Sequence, residues 1–277
     1  MSYKFSTIFH KSQNVTIGAV HFPPLLGYKD FPGYKLARTN ALKDLSAFQA
    51  GGFDAIILEN NYDIPHTEFV DPSIITSMTY LIEKIRAQTK LPLGASVLWN
   101  DYKTALSLAK TLNLQFIRVP VFVDNVKTAC GIIEGDAKKV IAYRKLIGAE
   151  HVAIFTDIHV KHAELLSKKT ITQSAKAAIK SGSDGLIITG KWTGQAPDLN
   201  ELARVRKSVG DFPIIIGSGT DAQNVSALFQ FANGTIVSTA LKKGTAKKQE
   251  VNVKGYDQRI DKVKAKKFIQ SIKTKRV

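Results

Sequence analysis

The chain has 277 residues, 44% of them hydrophobic, and a length that suits one α/β barrel of ~250 residues. Its single cysteine, Cys130, excludes an intrachain disulfide and fits a reducing compartment. No apolar run approaches the ~18 residues of a membrane span, and the N-terminus MSYKFSTIFHKSQN lacks the apolar stretch of a secretory leader, so a cytoplasmic protein is expected. The net charge is +16, yet thirteen Lys/Arg against three Asp/Glu fall between Lys242 and Val277. Such a basic terminal segment raises solubility and general attraction to polyanions. With no zinc-finger spacing or aromatic-interleaved basic motif, it specifies no nucleic acid and at most a peripheral membrane contact.

Taken in order, eight short apolar runs predict strands: 16–21, 54–59, 93–98, 115–120, 152–157, 185–190, 213–218 and 234–239. Between them lie amphipathic stretches such as LARTNALKDLSAFQAGG, with Leu36, Leu42, Leu45 and Phe48 recurring on one face. Several of the others open on Asp or Thr, which can cap a first helical turn. A last helix is expected at about 258–273. Strands that alternate with helices pair in parallel, because each return crossover needs a helix on the sheet. Eight such units predict a single (β/α)8 TIM barrel across residues 1–277, its core at about 15–243, followed by the closing helix and a basic tail. A doubly wound open sheet is the rival. It would bring a Gly-rich fingerprint after the first strand, where the chain reads HFPPLLGYKDFPG.

Barrel enzymes carry their chemistry after the C-terminal ends of the strands. Reading those ends gives His21, then Glu59, Asn60 and Asn61, then Asn100 and Asp101, then Arg118. Asp157, His159, Lys161 and His162 follow the fifth strand, and Thr189, Thr193 and Gly194 the sixth. The opposite ends (GGFD, KLPL, NLQ, GAEH, GSDG, GDFP, ANG) read as plain turns. After the seventh strand, Gly217, Ser218, Gly219 and Thr220 let backbone amides approach an anion; Ser238 and Thr239 after the eighth can begin a short helix. Two such loops at these strands are where barrels often hold a phosphate. Alternation along 152–157 points Asp157 into the mouth and, if continued, adds His159 and Lys161.

The candidate catalytic set is therefore Asp157, His159, Lys161, Glu59 and Asp101, with His21, Asn60, Asn100, Arg118, His162 and Thr189 as substrate-binding candidates. His159 would serve as an acid–base group, and Lys161 would bind an anion or act as a nucleophile. No cofactor is predicted; a divalent metal is left open at Asp157 and His159, with His21 or Glu59 as a third ligand, although no fixed-spacing signature accompanies them. Phe22, Leu25, Leu26 and Phe31 are expected as exposed apolar loop residues that would support a homo-oligomer.

GAVHFPPLLG, ILENNYD, SVLWND, FIRV, GIIEG, IFTDIHVKHA, IIIGSGT and ALKK, in this order from about residue 17 to 243, resemble the BtpA/SgcQ family. The resemblance implies a barrel related to ribulose-phosphate-binding barrels, and adds Glu134 to the substrate-binding candidates. It brings two functional associations: a phospho-sugar-type enzyme, and biogenesis of photosystem I. The chain departs from the family pattern at ENNYD (more often ENFGD), at SVLWND (usually NVLRND, so Trp99 replaces an arginine), and at Thr239-Ala240 in place of a serine pair. Two functions are thus expected to compete: an enzyme using acid–base chemistry on a phosphorylated small molecule, and a non-catalytic membrane or photosystem assembly factor.

Overall fold

The computed structural model describes residues 3–244, 252 and 254–274; residues 245–251, 253 and 275–277 of the basic terminal segment lie outside the described residues. In chain order the elements begin with α1 (Tyr3–Phe9), β1 (Val15–His21), α2 (Tyr34–Gly51), β2 (Ala55–Glu59), α3 (Pro72–Arg86), β3 (Leu93–Ser96) and α4 (Tyr102–Thr111). Then come β4 (Phe116–Val119), β5 (Val126–Thr128), β6 (Gly131–Ile133), α5 (Ala137–Leu146), β7 (Ala153–Ile158), β8 (Glu164–Leu165) and α6 (Ile171–Lys180). The remainder is β9 (Gly185–Ile188), α7 (Leu199–Val209), β10 (Ile214–Ile216), α8 (Val225–Leu228), β11 (Gly234–Val237), a 3-10 turn at Thr239–Leu241, and α9 (Lys262–Thr274).

The eight predicted strands are present and close into a barrel in the order β1-β11-β10-β9-β7-β4-β3-β2. Ala19 pairs through Ile57, Gly94 and Phe116 to Ala153; following the registers on through β9, β10 and β11 returns to β1 eight residues earlier. That displacement is the shear of an eight-stranded α/β barrel. Asp101, Asp136, Thr170 and Asp198 cap α4, α5, α6 and α7 through side-chain oxygens. No helix among the described residues is long and apolar enough to cross a membrane.

Two elements and the packing of the expected last helix were not foreseen. Helix α1 closes the N-terminal end of the barrel, where Phe5 and Phe9 pack on the interior rings of Phe116 and Phe155 with centroids 5.7–6.1 Å apart. A small antiparallel sheet, β6-β5-β8, lies beside the C-terminal mouth and ties the segment after β4 to the segment after β7. Helix α9 packs against α2 rather than floating as a solvated helix: Ala265 and Phe268 are fully buried, and Phe53 stacks on Phe268 at 5.9 Å. The reading of Phe22 and Leu25 as exposed is corrected. Both are wholly buried in the core between barrel and helices, while Leu26 is exposed.

The barrel interior is small on one strand where it is large on the next. A Cβ added at Gly94 would stand 2.2 Å from a carbon of the Phe116 ring. The site tolerates only hydrogen unless that ring moves, and overpacking of this kind costs about 1–3 kcal/mol. Gly94→Ala is therefore expected to lower stability by about 2 kcal/mol in denaturant unfolding, and Phe116→Leu to recover part of the loss in the double variant. Simple additivity of the two substitutions would contradict this packing.

Candidate active site at the barrel mouth

The interior apolar layer contains Ala19, Ile57, Phe116, Phe155, Ile187, Ile215 and Ile236. Two residues further along each strand, alternation places His21, Glu59, Ser96, Arg118, Asp157, Thr189, Gly217 and Ser238 at the C-terminal mouth. The polar floor of the mouth is thus a consequence of strand periodicity, not of loop placement.

On that floor the Arg118 guanidinium forks onto Asp157, with Nε and Nη2 each 2.8 Å from a carboxylate oxygen. Its Nη1 reaches Glu59 Oε1 at 3.3 Å, and His21 Nε2 faces Glu59 Oε2 at 3.4 Å. All four side chains are largely removed from water. Burial alone would raise the Glu59 carboxyl, but the His21 hydrogen bond and the Arg118 charge outweigh it and hold the group at about 2. Burial pushes His21 below the usual histidine range, offset in part by Glu59. A neutral imidazole donating Nε2–H to an ionised Glu59 satisfies both.

Lys161 follows Ile158 by three residues and stands over this cluster. Burial, then the neighbouring Arg118 charge, lower its ammonium to about 8, although Glu59 and Asp157 pull the other way. It makes no hydrogen bond or close ion pair with the described residues.

A cavity of about 990 Å³ opens above this floor, lined by His21, Glu59, Arg118 and Lys161 on one side and by the loops after β9, β10 and β11 on the other. Gly219 has φ +70°, and a Cβ there would fall 2.0 Å from Ala196 N, so the loops after β9 and β10 touch backbone to backbone. Ser218 Oγ donates to Gln195 O at 2.8 Å and accepts from Gly190 N at 3.2 Å. That hydroxyl is committed to joining the two loops, so Ser218 offers the cavity its backbone. The Ser238 hydroxyl, in contrast, is buried without a hydrogen-bond partner, as is Thr189 Oγ1. Gly217, Ser218, Gly219, Ser238 and Thr239 all line this wall.

A rim not foreseen from the sequence completes the cavity. Lys242 is 2% exposed and donates from Nζ to Tyr62 OH at 2.9 Å. The Tyr62 hydroxyl donates to Lys254 O at 2.6 Å, and Lys254 Nζ returns to Lys242 O at 2.7 Å. The Asn61 side-chain amide donates to Asn252 Oδ1, and the Asn252 amide donates to the Asn61 backbone carbonyl at 2.8 Å. Arg259 pairs with Asp44 at 2.7 Å and anchors the far end of this strap to α2. Burial lowers Lys242 to about 8, with Asp44 as partial compensation. The tyrosine of ENNYD and the first lysine of ALKK were the available signals; both lay inside quoted motifs, but the lysines counted only as charge.

The other predicted residues lie outside the cluster. Strand β7 ends at Ile158, and His159 turns into the left-handed region at φ 52°. The extrapolated alternation fails there: His159 Nε2 meets Ser174 Oγ on α6 at 3.3 Å, facing the helix layer. Asp101 caps α4 and binds Val70 N; Asn60 holds Leu98; Asn100 holds both backbone groups of Val121. Those three stabilise loops and do not line the cavity. Glu134 is exposed beyond β6. His162 bonds Thr193 Oγ1 at 2.8 Å and lines a side chamber next to Lys161. Among the described residues no three His, Cys, Asp or Glu side chains are grouped to hold a metal ion. With Asp157 engaged by Arg118 and His159 turned toward α6, that pair does not converge on one point.

Solved structures share this architecture at low identity. The (S)-3-O-geranylgeranylglyceryl phosphate synthase of Thermoplasma acidophilum, in complex with sn-glycerol-1-phosphate, superposes with a TM-score of 0.62 over 99% of each chain at 17% identity. N-(5'-phosphoribosyl)anthranilate isomerase from Pyrococcus furiosus gives 0.56 over 95% of this chain and 99% of that one, at 14% identity. These likenesses establish the TIM-barrel fold. Sequence relatives are nearer. The photosystem I biogenesis protein BtpA of Synechocystis is 36% identical over 84% of this chain and 82% of its own. An uncharacterised, mitochondrial protein of Caenorhabditis elegans is 33% identical over 89% of this chain and 92% of its own. A family model described as the BtpA family matches residues 12–274, so the chain belongs to the BtpA family.

Proposed function

We propose that the chain is an enzyme that binds a phosphorylated small molecule, such as a sugar phosphate, across the barrel mouth and moves a proton on it through Lys161. The observation that carries this reading is one cavity with Lys161 on its floor and the Gly217–Thr220 and Ser238–Ala240 backbone on its wall. The wall suits a phosphate: its small residues let an anion approach the backbone, and the Ser238 hydroxyl lacks a hydrogen-bond partner among the described residues. The floor suits acid–base work. Glu59 stays ionised beside His21 and Arg118, and the neutral form of Lys161 can take a proton from a carbon or hydroxyl beside a carbonyl. Isomerisation, epimerisation and aldol-type cleavage all need that step. The cyanobacterial relative's name suggests an assembly role as the second reading, but such a role makes no use of a cavity with a lysine lowered to about 8 on its floor.

The reading has two measurable consequences. Screening sugar phosphates by native mass spectrometry should find ligands that bind in the millimolar range or tighter. Gly219→Ala forces a side chain into Gln195 and Ala196 and should weaken them at least about tenfold. Equal binding by the variant would remove the phosphate assignment. For turnover of any substrate found, the rate should rise with pH along a limb centred near 8, because Lys161 becomes the active base as it loses its proton. Lys161→Met should abolish that limb and reduce kcat by about 10²–10⁴; a variant that keeps both rate and limb rules Lys161 out.

A further inference from the structure

Beside the large cavity lies an apolar chamber of about 170 Å³, walled chiefly by Ile64, Pro65, Leu98, Trp99, Pro120 and Val160. It shares Glu59, Asn61, Arg118, Lys161 and Thr193 with the large cavity, so the two meet at the reacting lysine. The proposed reaction leaves this chamber unused. Its chemistry also contrasts with the larger cavity, whose wall is backbone and whose rim is lysine. The tip of the β5–β6 hairpin, Ala129 and Cys130, lies over it, and β5 pairs with β8 just after Lys161 and His162. The lysine loop and the chamber roof are therefore parts of one small sheet.

His66 and His162 stand among the lining residues, and His66 Nε2 and His162 Nδ1 are buried with no hydrogen-bond partner among the described residues. His162 uses its other nitrogen on Thr193, and His66 bonds the Asn60 backbone through its own. A His66 imidazole that donates to the Asn60 carbonyl leaves Nε2 as a bare acceptor. Buried polar atoms without partners are costly, and a ligand group that completes them regains that cost.

A void of roughly 150 Å³ lined by aliphatic side chains accommodates benzene. We infer that the substrate is bipartite: its phosphorylated part lies in the large cavity, and a five- or six-membered ring with an N–H or O–H on its edge fills the chamber. The bond joining the two parts then lies against Lys161, Glu59 and Arg118. This inference rests on the phosphorylated-substrate reading and narrows it from sugar phosphates in general to ring-bearing ones. Trp99 would present its indole to that ring.

The test is calorimetric titration of the full chain with matched pairs of probes. Ribose 5-phosphate is compared with uridine 5'-monophosphate, and glucose 6-phosphate with phenyl glucoside 6-phosphate. The ring-bearing member of at least one pair should bind at least about tenfold tighter, since burying a ring's apolar surface is worth that much. Ala129→Trp, at an exposed hairpin tip, should fill the chamber and bring the affinity ratio within the responding pair to about one. If the ringless phosphates bind and no ring improves on them, the chamber inference falls while the phosphate reading stands. If neither member of either pair binds, the phosphate reading itself falls and takes this inference with it. A gain that survives Ala129→Trp places the ring elsewhere and also overturns the proposal.

Discussion

The site depends on the fork between Arg118 and Asp157. Placing a guanidinium and two carboxylates inside a barrel removes each from water at a cost of several kcal/mol, which only close pairing offsets. One guanidinium cannot neutralise both Asp157 and Glu59, so the cluster keeps a residual negative charge. Lys161 is the nearby cation that balances it, yet the adjacent guanidinium repels it. Burial first, and then that repulsion, lower the ammonium to about 8 against the pull of Glu59 and Asp157. Neutral His21 fits the same arithmetic, because it satisfies Glu59 with a hydrogen bond without adding charge.

The inward direction of these side chains comes from the sheet, and that part was legible in the sequence. Period-two alternation along 152–157 put Asp157 inside correctly, and the same rule applied to the other strands yields His21, Glu59 and Arg118. It failed one residue beyond β7. His159 and His162 both adopt positive φ, a conformation that no hydrophobic pattern announces. Once the chain leaves the strand, the position of Lys161 is fixed by β8 pairing with β5, a contact between segments about forty residues apart. Such pairing has no local signature.

A second group of residues misled for a different reason. Asn60, Asn100 and Asp101 stand at strand ends, where catalytic groups also stand, and have side chains able to do either job. Loops that leave a barrel strand carry backbone groups with no sheet partner, and buried ones must be satisfied. Asn100 answers this need by bonding both N–H and C=O of Val121. Polarity at a strand end thus marks either chemistry or loop support. Only the partner decides: Asn100 meets backbone, whereas Arg118 meets two carboxylates.

The division of labour among loops follows from these partners. Those after β2 and β3 are wired down by Asn60, Asn100 and Asp101, and they form the rigid wall of the small chamber. The loops after β9 and β10 are joined by Ser218 and by the close approach of Gly219 to Gln195 and Ala196. The remaining rim is the strap of Lys242, Asn252 and Lys254, held through Tyr62, Asn61 and Asp44. Its lysines had counted as part of a solubilising tail, but a residue 2% exposed contributes little to solubility. Among the described residues the Lys242 ammonium donates one hydrogen bond, to Tyr62, and Lys242 lines the same cavity as Lys161. The cavity thus has a lysine on its floor and lysines along its rim, a distribution that favours an anionic molecule.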